Sequence, residues 1–420
     1  MKELNIPLGI ASLEIVEQST DKQGNIILTV KSTKKESRCH KCGKSATIHH
    51  GYAPMLEIRH LSILDTPVYL RIRPLRYKCE HCDNHPTTTE QYDWCERKSK
   101  TTKAYDEYVM RNLINGTIAD VSRKEKLGYK SITSIVNRKI NKEVNWSGYD
   151  DLDTIGIDEI SDKKGHADFL TIISSKSKTG KLSVIAVLKG RKKETIMKFL
   201  KSIPKPLKKT VTTVCTDMYD GYVNSAKSFF GEQIVVIDRY HVAKLYRRPL
   251  DKLRIKEMKR LKKKLIPVEY GKLEGMMWIL RKNHECLTQS NKESLSLLYK
   301  HSPKLKKAHH YAIKLTNILN THTSRKLAQA KIERWVCKVK KSGLRCFDQF
   351  IMTLEKYKTW ILNYFKKRAN SGFVEGLNNK IKVIKRRCYG FFKTESLFQR
   401  LWLDLSGYDR YINSKPLQTQ

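Results

Sequence analysis

The sequence is short of acid. Its 420 residues carry 42 Asp and Glu against 83 Lys and Arg, a formal charge of +41. So basic a balance argues against a small substrate as the main partner and calls for a polyanion, nucleic acid before an anionic membrane. The chain also lacks any run of about 18 apolar residues, which excludes a membrane-spanning helix. Its N-terminal stretch, MKELNIPLGIASLEIVEQ, is too acidic and too briefly apolar for a secretory signal, so a cytoplasmic protein with no membrane partner is expected. Neither internal repeats nor low-complexity segments stand out, which sets aside a repeat array. At roughly 100 to 200 residues per domain, the length allows two to four domains.

A reducing compartment governs the reading of the ten cysteines, which become metal ligands or free thiols before they become disulfides. "CHKC" at 39–42 and "CEHC" at 79–82 are two C-x-x-C knuckles, each able to turn two thiolates toward a tetrahedral ion. Cys39, Cys42, Cys79 and Cys82 are therefore expected to hold one structural Zn²⁺ in a zinc ribbon. Spacing leaves His40, His81, His85 and Cys95 open as substitutes. The segment between the knuckles, "APMLEIRHLSILDTPVYLRIRPLRYKC", alternates apolar and polar residues as hairpin strands do. Cys215, Cys286, Cys337, Cys346 and Cys388 are scattered and are assigned no chemistry.

Residues 115–140, "NGTIADVSRKEKLGYKSITSIVNRKI", predict two short helices. Thr117 with Asp120 resembles a capping box, Ile118, Val121 and Leu127 form one apolar face, and Gly128 interrupts the pattern before a second helix carrying Ile132, Ile135, Val136 and Ile140. This spacing suits a helix-turn-helix. Its second helix would present Lys130, Ser131, Thr133, Ser134, Asn137 and Arg138 to a DNA groove.

From Asp153 to Asp238 the texture changes to short β-rich runs, "DTIGIDEI", "FLTIISS", "LSVIAVL", "TVTTVCTD" and "QIVVID", separated by turns and a helical segment near 194–202: an α/β core. Residues 241–310 then hold 19 Lys and Arg against 6 Asp and Glu in a helical pattern, a cationic block. Helices continue beyond about residue 325 and end in "GFVEGLNNKIKVIKRRCYGF", residues 372–391, where Glu375 stands alone among Lys380, Lys382, Lys385, Arg386 and Arg387. At helical spacing Phe373, Leu377, Ile381 and Ile384 form an apolar stripe, with Glu375, Asn378, Asn379, Lys382 and Arg386 roughly opposite.

Two β runs end in an acid, at Asp158 and at Asp217. Each alone reads as a turn residue or a cap. Together at adjacent strand ends their charges would repel unless cations occupied the gap. With Glu375 as a third hard oxygen ligand, the set points to two Mg²⁺ or Mn²⁺ ions gripping a phosphodiester, one activating the attacking oxygen and one the leaving oxygen.

These segments carry a resemblance. "IGIDE", "TDMYDGY", "DRYH" and above all "NSGFVEGLNNKIKVIKRRCYGF" are similar to a bacterial insertion-sequence transposase family of the DDE class, the ISL-three type, over nearly the whole chain. The resemblance implies an α/β fold: a zinc ribbon and a helix-turn-helix, then an RNase H-like catalytic core interrupted by an all-helical insertion. The implied domains are 1–98 with the ribbon, 99–149 with the helix-turn-helix, 150–241 as the first part of the core, 242–368 as the basic insertion, and 369–420 as the C-terminal helices with the catalytic Glu.

By the same resemblance Asp158, Asp217 and Glu375 become the catalytic carboxylates. Asp238 and His241 match a D-x-x-H signature that makes them active-site neighbours, although they also read as a strand end and a helix start. Asn378, Lys382 and Arg386 match polar positions assigned to support. The implied activity is metal-dependent DNA cleavage and strand transfer on double-stranded DNA, at terminal inverted repeats and then at a target, by a dimer or larger assembly on DNA. Trp278, Trp335 and Trp360 in the insertion read either as core or as residues stacking on an exposed base. The rival readings are a catalytically silent DNA-binding regulator and an RNase H-type nuclease; a zinc-ribbon RNA binder would leave the acids unexplained.

Overall fold

A computed structural model describes residues 8–161, 169–282, 284–368, 372–390 and 393–413. The chain forms two units: residues up to Ile140 together with the chain from Leu403 onward, and Asn141–Trp402. Asn370, Ser371 and Phe391 of the most distinctive motif lie outside the described residues.

In the first unit, β1 (Leu13–Thr20), β2 (Ile26–Ser32), β6 (Leu56–Ile63) and β7 (Thr66–Ile72) form a sheet in the order β1-β2-β7-β6. Alternate residues of β7 turn inward, so that Val68, Leu70 and Ile72 join Leu28, Val30, Ile58 and Trp94 in its core. Leu64 and Asp65, at φ 47° and 60°, close the β6–β7 hairpin in two residues, a turn whose twist matches the strands. The expected hairpin is present, but it is not part of the ribbon, because β7 pairs with β2. The ribbon is built instead from β3 (Ser37–Arg38) with β4 (Ser45–Ala46), and from β8 (Leu75–Lys78) between β5 (Ile48–Tyr52) and β9 (Thr87–Thr89).

Three helices follow: α1 (Lys103–Leu113), α2 (Ile118–Lys124) and α3 (Tyr129–Lys139). Thr117 caps α2 by accepting from the Asp120 amide at 3.0 Å, and its hydroxyl donates to the Asp120 carboxylate at 2.6 Å. The turn bends at Lys126, φ 53°, while Gly128 serves as the N-cap of α3. The chain's later return is held by the Asn115 amide donating to Asp404 at 3.0 Å and by Gly407, where a Cβ would come within 3.0 Å of Ile114.

The second unit is centred on five strands: β10 (Thr154–Ser161), β11 (Phe169–Lys176), β12 (Leu182–Lys189), β13 (Thr213–Thr216) and β14 (Val235–Ile237), in the order β12-β11-β10-β13-β14. The first three strands run antiparallel, and β13 and β14 run parallel to β10. Helices α4 (Lys193–Leu200), α5 (Lys205–Thr210) and α6 (Asp220–Phe230) connect them, and Ile196, Leu200, Leu207, Tyr222 and Ala226 pack against Ile155, Ile157 and Val214.

From Arg239 onward the chain is helical: α7 (Arg239–Lys264), α8 (Pro267–Gly271), α9 (Met276–Ile279), α10 (Gln289–His301), α11 (Pro303–Asn320), α12 (Arg325–Lys341), α13 (Asp348–Lys356), α14 (Lys358–Lys367), α15 (Gly372–Arg387) and α16 (Thr394–Tyr408), whose residues from Leu403 onward belong to the first unit. Trp335 lies inside this bundle, its indole N–H donating to the Tyr311 carbonyl at 2.8 Å. Trp360 is half-buried, whereas Trp278 is exposed with Arg281 over its ring. The outer strand β14 is covered by α14: Asn363 donates to the Val235 carbonyl at 2.9 Å and to the Glu232 carbonyl at 3.1 Å.

Candidate active site

The sheet register brings three aspartates to one level. Ile157 of β10 pairs with Thr216 of β13, and Thr216 pairs with Ile237 of β14. The next residue on each parallel strand is Asp158, Asp217 and Asp238. The parallel pairing of β10, β13 and β14 buries the strands up to that level and the acids begin where it ends, while β10 continues against β11 to Ser161. Asp238 also caps α7, accepting from the Tyr240 amide at 2.9 Å. One turn later the His241 Nε2 lies 3.8 Å from Asp238 Oδ2 and 4.0 Å from Asp158 Oδ2. The two aspartates therefore share one imidazole.

Helix α15 rests directly on β10, at Gly156. A Cβ there would stand 2.5 Å from a Val374 methyl and 2.8 Å from the Ser174 hydroxyl, so only glycine admits the helix. The seating carries Asn378 to the acids, where its Nδ2 donates to Asp158 Oδ2 at 2.5 Å. The buried stripe of α15 is Val374, Leu377, Asn378, Ile381 and Ile384. Asn378 thus leaves the solvated face on which helical periodicity places it. Glu375 is exposed one turn before Asn378, and Lys382 and Arg386 are exposed further along the same side.

Burial, the Asp158 charge and then that of Glu159 push the Asp217 carboxyl up to about 7. Burial also raises Asp158, against the opposing pull of His241. Acids in that condition suit a hard divalent cation, which would relieve both the repulsion and the lost hydration. The Asn378 Oδ1, buried and without a hydrogen-bond partner among the described residues, adds an unused oxygen. Asp158, Asp217 and Glu375 are not drawn together as tightly as the cysteines, whose ligand atoms alone among the described residues gather within 4.8 Å of one another.

The sulfurs of Cys39, Cys42, Cys79 and Cys82 lie within 4.8 Å of one another. Lys41 and His81 amides point at Cys39 and Cys79 Sγ, each at 3.4 Å. Amides of Cys42 and Lys41 bring the Cys39 thiol down to about 6, while its neighbours push Cys82 up to about 12. Four sulfurs this close cannot all ionise without a cation, and tetrahedral thiolate ligation suits zinc. Three of the four substitutes are engaged elsewhere: His40 Nδ1 with the Thr88 hydroxyl, His85 Nδ1 with the Cys79 carbonyl, and Cys95 Sγ with the Thr101 carbonyl.

Residues 155–401 match the sequence profile of a transposase family of the DDE class, ISL3 type. The chain belongs to that family. It is 23% identical over 390 residues to the transposase for insertion sequence element IS1001 of Bordetella parapertussis, covering 93% of this chain and 94% of that protein. It is 22% identical over 391 residues to the transposase for insertion sequence element IS1557 of Mycobacterium tuberculosis, with 88% and 86% covered. The family implies a divalent metal requirement and a DNA substrate.

In this transposase α3 exposes Lys130, Ser131, Ser134 and Asn137, while Thr133 is half-buried and bonds back to the Tyr129 carbonyl at 2.8 Å. Arg138 is occupied: its Nη2 lies 2.9 Å from both oxygens of Asp106, a fully buried carboxylate, and 2.9 Å from the Thr101 hydroxyl. Asp106 lies on another helix, and no local pattern announces the pair. Removing the arginine would leave a buried charge unpaired, so Arg138→Ala is expected to destabilise the first unit by about 3 kcal/mol, read as a lower denaturation midpoint. A midpoint unchanged from wild type would return Arg138 to the groove-facing set.

Proposed function

We propose that the protein binds the terminal inverted repeats of its insertion sequence and catalyses divalent-metal-dependent DNA cleavage and strand transfer. The observation that carries this reading is the common level of Asp158, Asp217 and Asp238, joined through Asn378 to the helix that bears Glu375. The strand order β12-β11-β10-β13-β14, three antiparallel then two parallel, supports an RNase H-like core, and α7 to α14 supply the helical insertion before Glu375.

Asp158, Asp217 and Glu375 would hold the ions, Mg²⁺ or Mn²⁺, which when bound supply activation of the attacking oxygen and charge neutralisation at the leaving one. Asn378 holds the Asp158 carboxylate in place, and His241, 4.0 Å from the same oxygen and 3.8 Å from Asp238, sets a positive partner between the two acids. Lys382 and Arg386, on the exposed side of α15, grip the DNA backbone. Water attacks the phosphodiester at an element end and frees a 3′-hydroxyl, which then attacks target DNA. The zinc ribbon and the helix-turn-helix, through Lys130, Ser131, Ser134 and Asn137, recognise the ends, and the cationic insertion adds backbone contacts that carry no sequence information. Joining two ends in concert calls for a dimer or larger assembly on DNA in the bacterial cytoplasm.

The test is cleavage of a labelled duplex taken from the DNA flanking this gene, comparing wild type with Glu375→Gln in Mg²⁺ and in Mn²⁺. Wild type should cut at one phosphate, and Glu375→Gln should bind equally while cutting at least about 10³-fold more slowly. Binding without cleavage by either protein would replace this reading with that of a silent DNA-binding regulator. Cleavage that never yields a strand-transfer product would leave a nuclease.

A further inference from the structure

A carboxylate cluster is a poor place to bring DNA. Asp158, Asp217, Asp238 and Glu159 all repel a phosphodiester, and ions between them neutralise only the phosphate being cut. Its neighbours, one charge per strand for about every 3.4 Å of duplex axis, must pass the same rim. A cation fixed beside the acids would hold them.

Arg191 occupies that position. It follows Gly190 at the end of β12, where the chain turns with φ 79°. The Gly190 amide donates to the Phe169 carbonyl at 2.8 Å, and the Gly190 carbonyl accepts from the Thr171 hydroxyl at 2.7 Å. The backbone is therefore set before the side chain begins. The Arg191 guanidinium carbon lies 4.4 Å from the Phe169 ring centre and 4.7 Å from that of Tyr219. Tyr219 is tied to the site by its amide, which donates to Asp217 Oδ1 at 3.1 Å. Gly221 leaves room for this arrangement: a Cβ there would stand 2.5 Å from the Tyr219 ring and 3.2 Å from the Arg191 carbonyl.

Stability does not account for so much fixing. Arg191 Nη1 pairs with Glu159 Oε2 at 3.2 Å, but the arginine side chain is 40% exposed, and ion pairs open to solvent contribute little. Among the described residues that bond engages one nitrogen, leaving the rest of a fork whose plane is set by aromatic contact. A planar fork with its orientation already fixed matches two phosphate oxygens, which a lysine cannot do.

We propose that Arg191 grips a DNA phosphate next to the one cleaved, with Glu159 as the residue that aims it. The proposal rests on the DNA-cleaving reading above and adds a phosphate-binding residue to it.

The experiment measures binding to the duplex taken from the DNA flanking this gene, with a neutral methylphosphonate placed at each backbone position in turn, for wild type, Arg191→Ala, Arg191→Lys and the double variant Arg191→Gln with Glu159→Gln. Arg191→Ala should bind about tenfold more weakly and lower the salt-dependence slope by about 1. One methylphosphonate position should weaken wild type and cost Arg191→Ala nothing further. Arg191→Lys should recover part of the affinity without the position-specific effect of the fork. Methylphosphonate effects that add to Arg191→Ala at every position would overturn the proposal, as would wild-type affinity in the double variant, which would reduce Arg191 to a neutraliser of Glu159. Affinity is read separately from cutting, so a wild type that binds but never cleaves defeats the catalytic reading and leaves the Arg191 comparison intact. No binding by wild type defeats both.

Discussion

Without added divalent metal, Asp217→Asn should be more stable than wild type at pH 8, and the order should close or reverse once Mg²⁺ is supplied. The Asp217 carboxyl is raised to about 7 by burial, by Asp158 and by Glu159, so the folded protein prefers it protonated. A group whose folded pKa lies above its unfolded value favours the native state below the unfolded pKa, near 4, and loses that contribution as pH rises through about 7. A rise of that size corresponds to about 4 kcal/mol at most, or a melting difference of several degrees at pH 8 that shrinks to about a third of that at pH 5 and vanishes below about pH 4. A divalent ion does at high pH what the proton does at low pH. Mg²⁺ should therefore raise the wild-type melting temperature far more at pH 8 than at pH 5, and that of Asp217→Asn little at either. DNA cleavage by Asp217→Asn should fall at least about 10³-fold. Equal Mg²⁺ stabilisation of both proteins at pH 8 would mean that Asp217 is not a metal-binding residue.

What can be read in advance divides along a physical line. The acid of the run TIGID stands where the pairing of β10 with β13 ends, and that change of chemistry is visible one residue at a time. The common level of Asp158, Asp217 and Asp238 is a property of register between three strands far apart in the chain, and alternation along any one of them carries no trace of it. Gly156 looks like a pause in a strand until Val374 arrives against it from a helix more than two hundred residues later. Periodicity misplaces Asn378 for a related reason. It builds the apolar stripe of α15 from Phe373, Leu377, Ile381 and Ile384, whereas the buried residues are Val374, Leu377, Asn378, Ile381 and Ile384, a face turned far enough to carry the amide inward to Asp158. Arg138 sits on the outward side of α3 in any helical projection, yet its partner Asp106 belongs to α1. The zinc ligands are legible because C-x-x-C confines its chemistry to one turn. Their surroundings are not: the hairpin between the knuckles pairs into a different sheet.

Cys79→Ser should release the metal and unfold the ribbon, leaving the sheet of the second unit intact. The ribbon has little else to hold it. Its own core is Cys39, Ala46, Tyr77 and Cys79, with Leu75 and Cys82 partly buried beside them, so half of the fully buried residues are themselves proposed ligands. A core of that size cannot offset the conformational entropy of ordering the strands around it. Metal ligation has to supply the difference, and structural zinc contributes on the order of 10 kcal/mol in small domains of this kind. The clusters around Leu70 in the first unit, and around Ile157 and Trp335 in the second, contain none of the four sulfurs. Wild type should carry one zinc per chain, take up Co²⁺ with a thiolate charge-transfer band, and bind more tightly as pH rises, because Cys82 must give up a proton held up to about 12 by its neighbours. Cys79→Ser should show no such band, lose slow amide exchange across residues 37–52 and 75–89, and lose sequence-specific DNA binding while the exchange pattern of residues 154–237 stays as in wild type. Protected ribbon amides in a metal-free Cys79→Ser protein would show that the strands fold on side-chain packing alone and that the four cysteines are not its staple.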